Sequence, residues 1–300
     1  MTIRNVAIFG ASGNFGTPIT AALINVNFCV TIISRIESTS QFPEGIPVIR
    51  TEYTLPALTE ALTGQDAVVC VVGPAGIHHQ NTMIDAAEAA GVRRFIIDDF
   101  GWGPNVRGLP EFEPVRAQRR VPWDHAEKVA ARNPNFTYCG IATGNPIDWA
   151  LKRFPKMGFN LKDQSAVIYD AGNEMFTGTT LQGIGQAVVG VLSHLEETKN
   201  RLVKVQSIQT CQNELLAAFE KETGTKWSVE RLTTRSLKES GRRKLQAGDG
   251  GWVLDLVVAQ LFDEGEARCL VARTREDSDA ELLGIKEETA DGIATAALTL

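Results

Sequence analysis

No apolar run in this chain approaches the roughly 18 residues a membrane-crossing helix needs, and Met1-Thr-Ile-Arg4 leads into an apolar strand pattern without secretory features. The expectation is a soluble, cytoplasmic protein with no membrane partner. Cysteine is sparse: the residues at 29, 70, 139, 211 and 269 are odd in number and widely spaced, and three lie inside apolar strand-like runs. That spacing excludes a disulfide framework and points to buried thiols. The histidines at 78, 79, 125 and 194 make no zinc-like spacing with cysteine or carboxylate, so no metal is expected. Strong net charge is missing too. With 30 basic and 36 acidic residues the formal charge is −6, which offers no electrostatic reason for nucleic acid as a partner. The basic clusters are short, Arg116/Arg119/Arg120 and Arg242-Arg243-Lys244; the first could be a solvated face or touch an anionic ligand. No internal repeat, low-complexity tract or linker interrupts the chain.

What the chain does hold is length and rhythm. At 300 residues, 43% apolar and 22% charged, it can bury a full core in one large or two small domains. Strand patterns near 4–9, 28–34, 47–52, 66–72, 93–98 and 135–141 alternate with helical patterns near 17–26, 56–64, 78–90 and 115–132. Runs such as Asp66-Ala-Val-Val-Cys-Val-Val72 suit a parallel sheet covered on both faces. The expected class is α/β: a Rossmann doubly wound parallel sheet over residues 1–145, with a smaller appended α+β substrate region over 146–300 packed on it. In that second part helices are expected near 146–153, 181–195, 211–222, 234–246 and 251–262, and strands near 165–169, 203–208 and 227–232. Some of its C-terminal segments could return to the first domain. The apolar helix over Trp252–Phe262 could be core or could pair subunits, so monomer and homodimer both stay open.

Ligands of such sheets lie over the carboxyl ends of the strands. The first of these ends reads Phe9-Gly10-Ala-Ser-Gly13-Asn-Phe-Gly16, three glycines spaced three apart. A glycine loop between a strand and a helix lets backbone approach a pyrophosphate and aims free helical N–H groups at it. The second strand ends in Ser34-Arg35, where an NAD-type site usually carries an acid for the ribose 2′-hydroxyl. Arg35 can pair with a 2′-phosphate and Ser34 can donate to it, which selects NADP(H), although Glu37 could still serve a ribose.

Two stretches then identify a resemblance. Gly10-Ala-Ser-Gly-Asn-Phe-Gly16 and the run from His79-Gln80 through Ile84-Asp-Ala-Ala and Ala90-Gly-Val-Arg-Arg-Phe95 to Asp98-Asp-Phe-Gly101 resemble the NmrA-like group of atypical short-chain dehydrogenases, to which isoflavone reductases belong. Thr137-Tyr-Cys-Gly-Ile-Ala-Thr-Gly144, Ile147-Asp148-Trp149 and Glu281-Leu-Leu-Gly-Ile285 add to the likeness, which covers the first 150 residues or so and fades afterwards. The resemblance implies NADP(H) contacts at Gly10, Ser12, Gly13, Asn14, Phe15, Gly16, Ser34 and Arg35, with Gly73 and Pro74 beside the adenosine ribose and Phe100 beside the nicotinamide. It also exposes a departure: Ile97-Asp98-Asp99 stands where the family writes Pro-Ser-Glu, putting a carboxylate where a small hydroxyl is customary.

A second departure concerns catalysis. Reductases that this chain resembles carry a lysine on the helix after Asp-Phe-Gly, and it should align near Gln118 or Pro122, yet no lysine occurs from Glu113 to Glu127. Lys128 would be displaced by roughly 9 to 15 Å along a helix. A Tyr-x-x-x-Lys dyad is absent as well, since Ala57, Ala142 and Asn173 follow the three tyrosines. The candidates for proton transfer are His125, Asp124 and Asp99, with Arg116, Arg119 and Arg120 nearby. Asp124 and His125 point about 100° apart on a helix, and an arginine cannot give up its proton. His125 could equally be a structural histidine.

Trp102, Asn145 and Trp149 follow strand ends that face the cleft and are the candidate substrate contacts, though either tryptophan could be ordinary core. Asn145-Pro146 replaces the aromatics of similar fungal proteins, which implies a substrate unlike the family's usual phenylpropanoids. Three functions follow: an NADPH-dependent oxidoreductase of a small apolar or aromatic secondary metabolite; a redox-neutral cyclase or isomerase that keeps NADP(H) as part of its wall; and a non-catalytic NADP(H) sensor. In the first two the expected partner is a small molecule.

Overall fold

In the computed structural model, which describes residues 2–74, 76–104 and 108–299, strand and helix alternate from the N-terminus as the apolar patterning dictates. Strands β1 (Asn5–Phe9), β2 (Cys29–Arg35), β3 (Val48–Thr51), β4 (Ala67–Cys70), β5 (Arg94–Ile96) and β6 (Thr137–Ala142) are separated by α1 (Gly16–Asn25), α2 (Leu55–Leu62), α3 (Gln80–Ala89) and α4 (Glu113–Arg132). Then come β7 (Asn145–Pro146), α5 (Ile147–Leu151), β8 (Phe159–Asn160), β9 (Ser165–Tyr169), β10 (Phe176–Thr179), α6 (Leu181–Ser193), β11 (Arg201–Lys204), β12 (Ile208–Thr210), α7 (Gln212–Thr223), β13 (Ser228–Leu232), α8 (Thr234–Gln246), α9 (Trp252–Phe262) and α10 (Ala290–Leu298).

The large sheet is parallel throughout, in the order β3-β2-β1-β4-β5-β6-β11. The order in which successive strands are added reverses between β1 and β4, the switch point at which such sheets open a crevice. Alternate side chains feed two cores. Val6 and Ile8 pack with α1 and α6 on one face, while Ala7 and Phe9 pack with α2, α3 and α4 on the other. A separate core holds Phe159, Phe176, Phe219, Trp227 and Phe262 between two three-stranded sheets, β12-β10-β7 and β13-β9-β8, and the helices α5, α7, α9 and α10.

The second half of the chain does not stay in this second body. β11 pairs with β6 in register Arg201 to Cys139, α6 packs on α1, and Ala280, Leu283 and Ile285 join the first core. Residues beyond 146 thus contribute to both cores. α4 is one 20-residue helix with Pro122 inside it, where the ring nitrogen leaves the Gln118 carbonyl without a helical donor.

Arg94 locks the returning segment to the sheet. Its side chain is buried, and it donates to Thr137 Oγ1 (2.9 Å) on β6, Thr198 Oγ1 (2.8 Å) and the Leu195 carbonyl (2.5 Å) after α6. A buried cation held by neutral acceptors leaves them unsatisfied when it is removed. Arg94→Met, which keeps most of the volume, is expected to lower unfolding free energy by about 3 kcal/mol in a denaturant titration; a loss below about 0.5 kcal/mol would show that the tie is dispensable.

Candidate functional site

At the switch point the backbone leaves no space for side chains. A Cβ at Gly10, whose φ is +80°, would sit 2.2 Å from the Val71 carbonyl oxygen after β4, and one at Gly16 would sit 2.0 Å from the Gly10 carbonyl. Gly13 N–H donates back to that carbonyl at 3.0 Å, closing the turn. α1 starts at Gly16 with no side-chain cap, so its N-terminus is open to an anionic ligand.

A cavity of about 360 Å³ lies over this loop, and Gly10, Ser12, Gly13, Ser34 and Arg35 line it together. Ser38, Ser40, Tyr53, His78 and His79 complete the wall. Arg50 donates to the Ser38 and Ser40 carbonyls (2.5 and 2.9 Å), and Ser12 Oγ donates to Ser40 Oγ at 3.1 Å. Arg35 is mostly exposed, and Glu37 Oε1 lies 3.4 Å from its Nε, so the acid serves the arginine. One guanidinium among four serine hydroxyls beside a side-chain-free cradle fits a phosphorylated dinucleotide. Tyr53 stands edge-on to Phe9 and His79, and burial pushes its hydroxyl up to about 12. Burial, with His78 and Arg35 adding, pulls the His79 imidazole below its ordinary range.

Asn14 is exposed, and Phe15 turns inward to meet Phe100 with ring centroids 6.4 Å apart. On β4's far side, Gly73 N–H donates to Asp98 Oδ2 at 2.6 Å, and Asp98 N–H donates to Gln80 Oε1 at 3.1 Å. Pro74 follows in the same turn; its neighbour Ala75 lies outside the described residues. Asp99 faces the other way. Its Oδ2 accepts from Trp123 Nε1 at 3.1 Å, and its Oδ1 lies 3.6 Å from Arg119 Nη1. Burial pushes both carboxyls up, Asp98 to about 6, against the lowering pull of the Arg119 guanidinium.

Arg119 and Trp123 reach Asp99 together because residues four apart share a helix face. His125 lies about 200° further round from Trp123. Its Nε2 is 2.7 Å from Asp85 Oδ1 on α3, while Asp124 and Lys128 are exposed. The structure thus brings Asp99 to Arg119 and does not bring His125 or Asp124 to that group. The cation on this face of α4 is an arginine one residue past Gln118.

Trp102, Asn145 and Trp149 line one further cavity, of about 420 Å³. Its opposite wall is α9, through Val253, Leu254, Val257, Val258 and Leu261, with Lys156 at one side. Trp102 Nε1, Asn145 Oδ1 and Trp149 Nε1 are buried without partners among the described residues. Sequence reading missed α9 as a wall, because nothing local ties residue 257 to residue 102. It also missed Tyr53, His78, His79 and the serines at 38 and 40. The two histidines and two serines follow strand ends, and that position was the available signal.

Known proteins resemble this chain in sequence and in fold. A family model described as NAD(P)H-binding matches residues 10–153. Oxidoreductase poxI of Penicillium oxalicum is 62% identical over 290 residues, 97% of this chain and 92% of that protein. The isoflavone reductase homolog IRL of Zea mays is 23% identical over 236 residues, 73% of this chain and 74% of its own. The solved complex of leucoanthocyanidin reductase from Vitis vinifera with NADPH superimposes with a TM-score of 0.81 at 18% identity, covering 99% of this chain and all (100%) of the other. A relative this similar along nearly the whole length, an NAD(P)H-binding match over the glycine loop and a shared fold lead to one assignment: the chain belongs to the NmrA-like, isoflavone reductase-like family of NAD(P)H-binding oxidoreductases.

Proposed function

We propose that this protein is an NADP(H)-dependent reductase of a small apolar or aromatic metabolite. The observation that carries the reading is the reach of one short segment: Phe100 packs on Phe15 of the glycine loop, and Trp102, two residues on, lines the second cavity. Cofactor and substrate walls thus meet at the end of β5. The cofactor assignment rests on Arg35 with Ser12, Ser34, Ser38 and Ser40 for the 2′-phosphate, and on Gly10, Gly13, Gly16 and the start of α1 for the pyrophosphate. Gly73 and Pro74 border the ribose. Solved leucoanthocyanidin reductase holds NADPH on the same fold, which supports the choice.

Bound there, NADPH supplies a hydride; the chain's own groups do the rest. Phe15 and Phe100 exclude water from one side of the site. Asp99 takes the role of acid in place of the family lysine: its burial raises the fraction protonated, against the lowering pull of the Arg119 guanidinium. Arg119 orients that carboxyl and stays charged. His125, tied to Asp85, is a helix-packing residue in this reading. A redox-neutral cyclisation or isomerisation is the second reading, and Arg119 favours it, because a fixed cation beside a buried acid stabilises developing negative charge without any redox change.

Asp98 serves the cofactor loop through Gly73. Its raised pKa means that between about pH 4 and pH 6 the folded chain keeps a proton the unfolded chain has released. Stability therefore falls as pH rises through that window, and the cost persists above it.

Three outcomes are expected. Arg35→Ala raises the Kd for NADPH about 100-fold and that for NADH less than about 3-fold in fluorescence titrations, and equal losses would refute the 2′-phosphate assignment. With a metabolite that drives nicotinamide oxidation, Asp99→Asn lowers kcat about 100-fold with NADPH affinity kept, whereas His125→Ala leaves kcat within about 2-fold; the reverse pattern moves the acid to His125. Product of unchanged mass formed without NADPH consumption would select the redox-neutral reading. Asp98→Asn gains up to about 3 kcal/mol relative to the parent between pH 4 and pH 7.5 in denaturant titrations, and parallel pH profiles would show that Asp98 is not the buried titrating group.

A further inference from the structure

The cavity between Trp102 and α9 is apolar except at one side. Among the described residues no carboxylate lines it, and the one charged lining residue is Lys156. Lys156 is half-buried, with Nζ 5.3 Å from the Trp149 ring centroid, and Arg153 stacks on the same ring at 4.3 Å. Among the described residues neither cation is ion-paired. The half-buried lysines of α8 behave differently: Lys238 and Lys244 each meet a carboxylate, at 2.7 and 2.8 Å. A partly desolvated ammonium left without an acid in a chain with more acidic than basic residues costs stability unless a ligand supplies the counter-charge. The three unpartnered polar atoms of the same wall, Trp102 Nε1, Trp149 Nε1 and Asn145 Oδ1, mark it as built for a ligand that carries polar groups.

We propose that this cavity takes an apolar organic anion, a carboxylate or an acidic enol on a flat carbon frame, with the anionic oxygen at Lys156 and the frame between Trp149 and the valines of α9. The inference rests on the reading of this cavity as the substrate site and narrows its substrate class. The ammonium supplies a charge-assisted hydrogen bond, and Trp149 holds the ammonium through its ring face. Asn145 Oδ1, buried without a partner in the same wall, offers an acceptor to a polar group of the ligand.

Two probes that share an arylaminonaphthalene frame test this: anionic 1-anilinonaphthalene-8-sulfonate and neutral N-phenyl-1-naphthylamine, titrated by their own fluorescence and by quenching of tryptophan. In the unaltered protein, affinity for the sulfonate should fall with added salt and that for the neutral probe should not. Lys156→Met should weaken the sulfonate about 10-fold, leave the neutral probe within about 2-fold and abolish the salt dependence, while Lys156→Arg restores most of the sulfonate affinity. Equal losses for both probes would mean that Lys156 acts only through Trp149 packing, and no loss for either would mean that it holds no anion; both results overturn the inference while leaving the cavity reading intact. Val257→Trp, which fills the cavity, should displace both probes. If both still bind to a Val257→Trp protein that melts as the parent does, the cavity is not the ligand site, and the substrate reading falls with the inference.

Discussion

The approach of β4 to the end of β1 is the constraint on which the site depends. With the Val71 carbonyl only 2.2 Å from where a Cβ of Gly10 would lie, no side chain fits between the two strands at the sheet's switch point. Gly16 meets the same limit against the Gly10 carbonyl, so the loop curls onto itself and α1 starts with its N-terminus facing the crevice. A backbone-only surface can approach a pyrophosphate closely, and the partial positive charge of the helix end favours it. Everything ligand-facing is arranged around that point: Ser34 and Arg35 on one side, the Gly73 turn on the other, and Asp98–Trp102 one strand further out.

Asp98 and Asp99 show how one strand end serves two purposes. The chain bends just past β5, where Asp99 N–H donates to the Ile97 carbonyl at 2.8 Å, and the two side chains diverge. Asp98 turns to the cofactor loop and accepts from Gly73; Asp99 turns to α4 and meets Trp123 and Arg119. Both carboxyls are buried, and each has hydrogen-bond or ionic support that makes the burial tolerable. A lysine at this face of α4 would be a mobile proton carrier. Arginine cannot give up its proton at ordinary pH, so at this face α4 presents Asp99 with a fixed charge.

The second body walls the cavity beside Trp102 with parts far apart in sequence. Trp102 follows β5, Asn145 lies in β7, Trp149 in α5 and Lys156 in the turn after α5, whereas α9 arrives about a hundred residues later. Meanwhile α6 and β11 return to the large sheet, and Arg94 ties their junction to β5 and β6. The cavity wall and the cofactor sheet are therefore joined through covalent continuity and through packing.

Local patterns in the amino-acid sequence determined the βαβ order, the glycine loop, the cation at the end of β2 and the strand ends that carry Asp99, Trp102 and Asn145. Each is a short-range property: alternation of apolar residues, a turn that only glycine permits, a residue type at a fixed distance past a strand. Which groups meet was decided only in three dimensions. Whether His125 or Arg119 faces Asp99 depends on the rotation of α4 and on its continuing through Pro122 as one helix. Whether Trp252–Phe262 is plain core or a cavity wall depends on where α9 lands against Trp102. Such long-range contacts leave no local trace, because their energy comes from burying surfaces whose partners are a hundred or more residues away.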